Sequence, residues 1–354
     1  MTTAHSAAAT GRDVVVDARD IRVWYGTERG PVRAVDGVSF QVRKGEILGL
    51  VGESGCGKST LGRGLLGLLP EGAAMDGSLT VGGEDLLTLG PKEMHRRRGV
   101  ELSMIFQEPL TRLNPLMRIS EHFVETLRAH EPSLSKEEME QRSLDVLRRM
   151  GIPPTRWKSY PHEFSGGMRQ RLMIALALVL RPSFVVADEP TTALDVLVEA
   201  QIIRILHDLR REFDTSLLLI THNLGIIAEA CDRVAVMYAG HIVEIGDART
   251  VFADPQHPYT RELLRSTISL STTGLHYIPG APPDLVDPPS GCPFHPRCPD
   301  AMQVCVRQDP PDEELPTGQR AKCWAAMQRQ GLVELDADER RPLEHEELSL
   351  ADEA

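Results

Sequence analysis

The chain lacks a long apolar run. Its longest, Leu172 to Leu180, has nine residues and is closed by Arg181. A bilayer span needs roughly 20 such residues, so no segment reads as membrane-crossing. The opening, MTTAHSAAATGRD, lacks the basic stretch and apolar stretch of a secretory signal. Positive charge is in the minority: 39 basic residues face 51 acidic ones, a net charge of -12. That balance argues against a nucleic-acid binder, which needs a basic surface to displace counterions. No internal repeat is visible. Cysteine is sparse, six in all, yet Cys292, Cys298, Cys305 and Cys323 share one C-terminal stretch. In a reduced cytosol such a cluster reads as metal or iron–sulfur binding before it reads as disulfides.

The composition is that of a folded soluble protein, 41% hydrophobic and 25% charged over 354 residues. The length exceeds one ordinary domain and predicts a large core domain with an appendage. Of 25 prolines, 14 lie between Pro255 and Pro342, several of them paired. Proline removes backbone donors, so that region is expected to be loop-rich. Before it, apolar strand-like runs alternate with helical ones, an α/β pattern. The boundary is placed near residue 253. The expected organisation is a disordered start over 1–12, a core domain over 13–253, an extension over 254–333 and a mobile or weakly helical acidic tail over 334–354.

Gly52-Glu53-Ser54-Gly55-Cys56-Gly57-Lys58-Ser59 fits the phosphate-loop pattern G-x-x-x-x-G-K-[ST]. An apolar run, Glu46 to Val51, predicts a buried strand before it, and Thr60 to Leu69 predicts a helix after it. Glycines let backbone N–H groups converge on phosphate oxygens, and the helix start adds a positive dipole end. Lys58 would reach the β- and γ-phosphates and Ser59 would ligate Mg²⁺. Cys56 reads as a packing residue of the loop.

Ser183 to Pro190 is an apolar strand ending in Asp188 and Glu189. Neighbouring residues on a strand point to opposite sides, so the two carboxylates can serve different roles. The first would hold Mg²⁺, and the second would polarise the water that attacks the γ-phosphate. Ser165-Gly166-Gly167 opens an apolar helix and is a second anion-binding arrangement. One nucleotide needs both devices only if two chains meet head to tail.

In this order, the motifs resemble those of the ATP-binding subunit of an ABC transporter. The resemblance covers about residues 14–250. It implies a P-loop nucleotide-binding domain with a RecA-like core, an antiparallel β subdomain and a helical signature subdomain at about 108–180. Gln107 resembles the glutamine loop that senses Mg²⁺ and the attacking water. Ala193-Leu194-Asp195 resembles the D-loop, and His222 the switch histidine that contacts the γ-phosphate. Tyr25 resembles the aromatic on which adenine stacks, with Trp24 its rival and a core position the plainer alternative. The implied ATP site is Tyr25, Gly52, Ser54, Gly55, Cys56, Gly57, Lys58, Ser59, Thr60 and Asp188. Its catalytic residues are Glu189, His222 and Gln107, its Mg²⁺ ligands include Ser59 and Gln107, and Ser165, Gly166 and Gly167 act on the partner's ATP.

The signature departs from the family's commonest spelling: Met168 stands where glutamine is usual. Phe164 to Arg171, Ala34 to Phe40, and the extension beginning His257-Pro258-Tyr259 resemble the oligopeptide/dipeptide importer branch, which nickel importers share. This implies an ATPase that powers peptide uptake at the cytoplasmic face of the cell membrane. The implied partners are a second ATPase subunit, by preference a paralogue, two permease subunits and an extracytoplasmic substrate-binding protein, with no nucleic acid. The competing readings are a non-transport ABC ATPase of DNA repair or translation, and a subunit that binds ATP without turnover. The single cassette stands against the first, and the intact Glu189 and His222 against the second.

The cysteine spacing, C-x5-C-x6-C-x17-C, matches neither zinc-ribbon nor ferredoxin runs. Four thiolates suffice for a [4Fe–4S] cluster or for tetrahedral zinc, with His295 able to replace one thiolate in a zinc site. Free buried thiols are the plain alternative. The branch resemblance favours a structural [4Fe–4S] cluster. The charge also sharpens on inspection: residues 334–354 hold nine acids and two arginines, -7 of the -12, which leaves -5 for the rest.

Overall fold

Strands buried on both faces of a parallel sheet are spelled as continuous apolar runs. In the computed structural model, which describes residues 14–107, 112–191, 196–266 and 276–343, such runs build the centre of the molecule. The chain opens with two long antiparallel strands, β1 (Val14–Thr27) and β2 (Gly30–Arg43), then β3 (Ile47–Val51) and α1 (Lys58–Leu65). Next come β4 (Ala73–Val81), the two-residue β5 (Glu84–Asp85), α2 (Pro91–Arg97) and β6 (Leu102–Ile105). A run of helices follows: α3 (Ile119–His130), α4 (Lys136–Arg149) and α5 (Gly166–Leu178). The chain then re-enters the sheet through β7 (Phe184–Asp188), α6 (Val196–Phe213), β8 (Ser216–Ile220), α7 (Leu224–Ala230), β9 (Arg233–Tyr238) and β10 (His241–Asp247). The remainder is α8 (Ala248–Ala253), α9 (Pro258–Arg265), α10 (Gln303–Arg307), β11 (Glu313–Glu314), β12 (Arg320–Ala321) and α11 (Trp324–Arg329).

Two sheets result. The smaller is antiparallel, in the order β2-β1-β4-β5; the larger runs β11-β12-β10-β9-β3-β8-β7-β6. Within the larger sheet the β9-β3-β8-β7-β6 pairings are parallel. Every residue of β3, β7 and β8 is buried. The two main apolar clusters lie on opposite faces of this sheet: Ile47 and Val51 belong to one, Leu48 and Leu50 to the other. Side chains alternate across a strand, so one apolar run serves both.

Helix boundaries follow local chemistry. Ser135 accepts from Glu138 N while Ser135 N donates to the Glu138 carboxylate, a reciprocal cap that starts α4. Arg148 and Arg149 close that helix against its negative end. The apolar run from Leu172 fills the second half of α5 and runs two residues past its end at Leu178, and the helix is buried on most of its sides. The helix expected over Thr60 to Leu69 is shorter and begins earlier. It stops at Leu65, where Leu68 N donates to Arg63 O at 2.8 Å and Gly67 N to Gly64 O at 2.8 Å. Arg98 then satisfies the last carbonyls, donating to Leu66 O and Gly67 O.

Packing runs across residue 253. β12 pairs with β10 in the register Ala321↔Glu244 and Arg320↔Ile245, so the extension continues the large sheet. Tyr259 and Phe294 of the extension pack on Tyr238 of β9, one tilted and one edge-on, with centroids 4.6 Å and 5.1 Å from its ring. Residues 334–343, read from sequence as the start of a mobile or weakly helical tail, are mostly exposed but dock on the extension through Leu335 and main-chain bonds. Leu335 is buried with Met302, Val304 and Cys305. The backbone of this stretch bonds to the cysteine segment, with Gln303 N donating to Arg341 O and Leu343 N to Ala301 O. Apolar residues among the acids make that docking favourable. Residues 1–12 and 344–354 lie outside the described residues. Among the described residues no helix is long and apolar enough to cross a membrane.

Candidate nucleotide site

Four parallel strands, β3, β6, β7 and β8, deliver their C-terminal ends to one edge of the large sheet. In open α/β sheets that edge is where ligands bind. β3 runs into the loop Gly52–Gly57, and α1 begins at Lys58. A Cβ on Gly52 would lie 2.1 Å from Met237 O, and one on Gly57 2.0 Å from Ala34 O. Gly57 also has φ of 106°, and as N-cap it brings no side chain to the helix start. The first-turn amides are therefore left for a ligand, and only glycine fits that backbone. Lys58 is buried, and its Nζ donates to Gly52 O and Glu53 O, each at 2.8 Å. Cys56 is buried with Sγ 3.7 Å from Lys58 Nζ, and burial raises its thiol above the ordinary range. Ser54 and Gly55 are exposed at the rim, and Ser59 and Thr60 are half-buried in the first turn.

β7 meets this loop directly. Ser59 Oγ donates to Asp188 Oδ1 at 2.9 Å, joining residues 129 apart in sequence. Burial raises the Asp188 carboxyl, and the Ser59 hydroxyl opposes that shift. Such a pair, a hydroxyl and a carboxylate beside a lysine and free amides, is suited to a divalent cation with a polyphosphate.

The next residue, Glu189, has φ of 45°, and its N–H donates to Ile220 O at 2.9 Å. Its carboxylate accepts from Gln107 Nε2 at 3.1 Å and lies 3.3 Å from His222 Nδ1. Gln107 follows β6 and His222 follows β8, so three strand ends contribute one residue each. The His222 side chain is 68% exposed and that of Glu189 20%, a group open to solvent and to an incoming water. A carboxylate flanked by an amide and an imidazole can accept a proton from water and stay oriented while doing so.

Tyr25 lies near the end of β1 beside α1, with Oη donating to Thr60 Oγ1 at 3.2 Å. Trp24 points away on the other face of the strand, where the Arg33 guanidinium lies 5.5 Å from its ring centroid. Of the two aromatics, Tyr25 is therefore the one beside the phosphate loop. Ser165 caps α5, accepting from Met168 N at 3.4 Å, and Ser165 and Gly166 are exposed. Among the described residues no hydrogen bond joins this turn to the phosphate loop, so the two anion-binding devices stay apart within one chain. Ala193, Leu194 and Asp195 lie outside the described residues.

Two supports are invisible at motif level. Glu199 on α6 accepts from Thr191 Oγ1 at 2.8 Å and from Asn223 Nδ2 at 3.3 Å, tying the segment after Glu189 to the turn that carries His222. The other is Glu53, at a free position of the loop pattern, which pairs with Arg297 of the extension. Nothing local in the sequence marks either.

Cys292, Cys298, Cys305 and Cys323 line one closed space of about 10 Å³, with His257, His295 and Trp324 around it. That is room for about one water. Burial raises all four thiols, and the neighbouring sulfurs raise those of Cys292, Cys298 and Cys323 further. Among the described residues no group of three or more His, Cys, Asp or Glu is placed to hold a metal ion. The donor chemistry fits a thiolate-bound metal, but the expected [4Fe–4S] cluster finds no preformed cage. The four thiols line a space with room for about one water, which would have to open.

A family model described as ABC transporter matches residues 35–192, and one described as oligopeptide/dipeptide transporter, C-terminal region, matches 243–305. The chain is 47% identical over 320 residues to the oligopeptide transport ATP-binding protein OppD of Salmonella typhimurium, covering 89% of this chain and 95% of that protein. It is 45% identical over 330 residues to the dipeptide transport ATP-binding protein DppD of Bacillus subtilis, covering 92% and 98%. Among solved structures, cbiO1 of Clostridium perfringens, part of the ABC transporter complex cbiONQ, superposes with a TM-score of 0.58 at 25% identity, over 69% of this chain and 92% of that one. A dimeric bacterial ABC transporter cassette shares the fold, with a TM-score of 0.59 at 24% identity over 66% and 99%.

Proposed function

The chain belongs to the ATP-binding subunits of oligopeptide/dipeptide ABC transporters, and from that premise we propose how its residues act. It is an ATPase coupled to peptide transport across a membrane. Import, and a position at the cytoplasmic face, belong to the proposal, as does pairing with a second ATPase chain, two permeases and a substrate-binding protein.

In this reading the amides of Gly55, Gly57 and the first turn of α1 receive the β- and γ-phosphates, and Lys58 leaves the carbonyls of Gly52 and Glu53 to meet them. Tyr25 supports the adenine. Ser59, Asp188 and Gln107 would hold Mg²⁺, which would supply positive charge to offset that developing on the phosphate oxygens. Glu189 accepts a proton from the attacking water, and Gln107 and His222 fix its orientation. Ser165, Gly166 and Gly167 face the nucleotide of the partner chain. ATP favours the closed pair because both chains contact its phosphates only there, which is the differential affinity a population shift requires. For the cysteine segment we infer a structural metal, iron–sulfur or zinc, held by Cys292, Cys298, Cys305 and Cys323. No step of hydrolysis passes through it.

The observation that carries the catalytic assignment is the meeting of Gln107, Glu189 and His222 beside the Ser59–Asp188 pair. Glu189→Gln keeps the shape and removes the base. It should bind ATP as the wild type does and lower turnover by about 10²-fold or more. Near-normal ATPase activity in that variant would remove Glu189 from the catalytic role.

A further inference from the structure

The C-terminal extension grips the phosphate loop at Glu53 from two sides. The Glu53 carboxylate accepts from Arg297 Nη1 at 2.7 Å and Nη2 at 3.0 Å, a forked ion pair spanning 244 residues of sequence. The Glu53 main-chain N–H donates to Tyr259 Oη at 2.9 Å. Both gripping residues belong to the interior: the Arg297 side chain is 4% exposed, and Tyr259 is fully buried.

Arg297 has little freedom. Its Nε donates to Pro279 O at 2.7 Å, Nη2 to Ile278 O at 3.3 Å and Nη1 to Tyr238 Oη at 3.3 Å. It ends a short 3₁₀ turn, His295–Arg297, that sits between Cys292 and Cys298. On the other side, the Glu53 carbonyl accepts from Lys58 Nζ. A continuous series of polar contacts thus leads from the cysteine segment through Arg297 and Glu53 to the amine of the phosphate loop.

A buried ion pair is weak evidence of stabilisation, because desolvation offsets its attraction. What the forked geometry supplies is direction. It also neutralises a carboxylate located within the phosphate loop, where an unpaired anion would repel an incoming polyphosphate. We propose that Arg297 is a positioning residue for ATP, acting through Glu53 to set the phosphate loop and to cancel its negative charge, so that nucleotide affinity depends on the extension. The inference rests on the reading of Gly52–Ser59 as the ATP site.

The test is calorimetric titration of the full chain with ATP and Mg²⁺, alongside its melting temperature without nucleotide. Arg297→Ala should raise the Kd for ATP about tenfold. Adding Glu53→Gln should recover most of that loss, because the orphaned carboxylate is gone. Arg297→Lys keeps the charge without the fork and should raise Kd about threefold; it carries the test if the alanine variant fails to fold. Unchanged Kd in either Arg297 variant overturns the inference. So does a lower melting temperature with no rescue by Glu53→Gln, which marks a merely structural arginine. Lys58→Ala separates the two claims. If it and the wild type bind ATP alike, the ATP site itself is misassigned and this inference falls with it. If only Lys58→Ala loses binding while both Arg297 variants bind normally, the inference alone fails.

Discussion

Glu189 takes a left-handed backbone that costs a residue with a Cβ about 1 kcal/mol or more. The bond to Ile220 O and the contacts to Gln107 and His222 hold it there. The acid pair was legible because two carboxylates closing an apolar strand are conspicuous in one dimension. The strained turn that separates their roles was not, since it depends on β8 lying alongside. The same holds for a second pair, buried where the extension meets β10. Glu244 accepts from Gln256 N at 2.8 Å, His257 N at 3.0 Å and Gln319 Nε2 at 3.2 Å. Burial pushes its carboxyl up from 4.5 to about 7, and burial pushes the His257 imidazole down from 6.5 to about 3. Between pH 4.5 and 6.5 the unfolded chain keeps its proton on the histidine and the native chain on the glutamic acid, so the pair adds no slope to stability. His257→Asn should expose the glutamic acid. The native state then binds more protons, and stability should fall as pH rises from about 4.5 to 7, by at most about 1.4 kcal/mol per unit. Glu244→Gln should expose the histidine. The unfolded state then binds more protons, and stability should rise with pH from about 3 to 6.5. Urea unfolding across that range measures both slopes, and slopes of the same sign in the two variants would contradict the account.

Among elements, those encoded locally were readable. The phosphate loop and its strand need only neighbours a few residues away. The extension was readable only as loop-rich, because its order comes from afar: β12 joins β10, and Phe294 sits against Tyr238 and Tyr259. Residues 334–343 follow the same logic, since nothing in an acidic stretch announces that Leu335 has a pocket to fill. The convergence of four cysteines from a spread-out spacing is likewise tertiary. A metal there would bind the folded extension and not the unfolded chain, so its removal should destabilise. Chain purified without oxygen should contain either iron with acid-labile sulfide or zinc. Stripping it with a chelator should lower the melting temperature by several degrees. Absence of all three elements, with melting unmoved by chelator, would leave four free thiols and no metal.

At the scale of the whole molecule, the proposed function divides one site between two chains. Lys58, Ser59, Asp188, Glu189, Gln107 and His222 gather at the phosphate loop, while Ser165 and Gly166 are exposed, and among the described residues no hydrogen bond joins their turn to that loop. Two anion-binding motifs in one sequence are what suggested that division. In the proposed reading, the partner that completes the site and the permeases that carry the peptide are other chains. Coupling is therefore the central claim, and it is tested by reconstituting the ATPase with its partner ATPase and permeases in liposomes. The substrate-binding protein and a labelled peptide are supplied on one side, and accumulation on the other is measured with ATP. The account expects ATP-dependent accumulation that Glu189→Gln reduces by about 10²-fold together with hydrolysis. Peptide movement that continues at the same rate with Glu189→Gln or without ATP would contradict it.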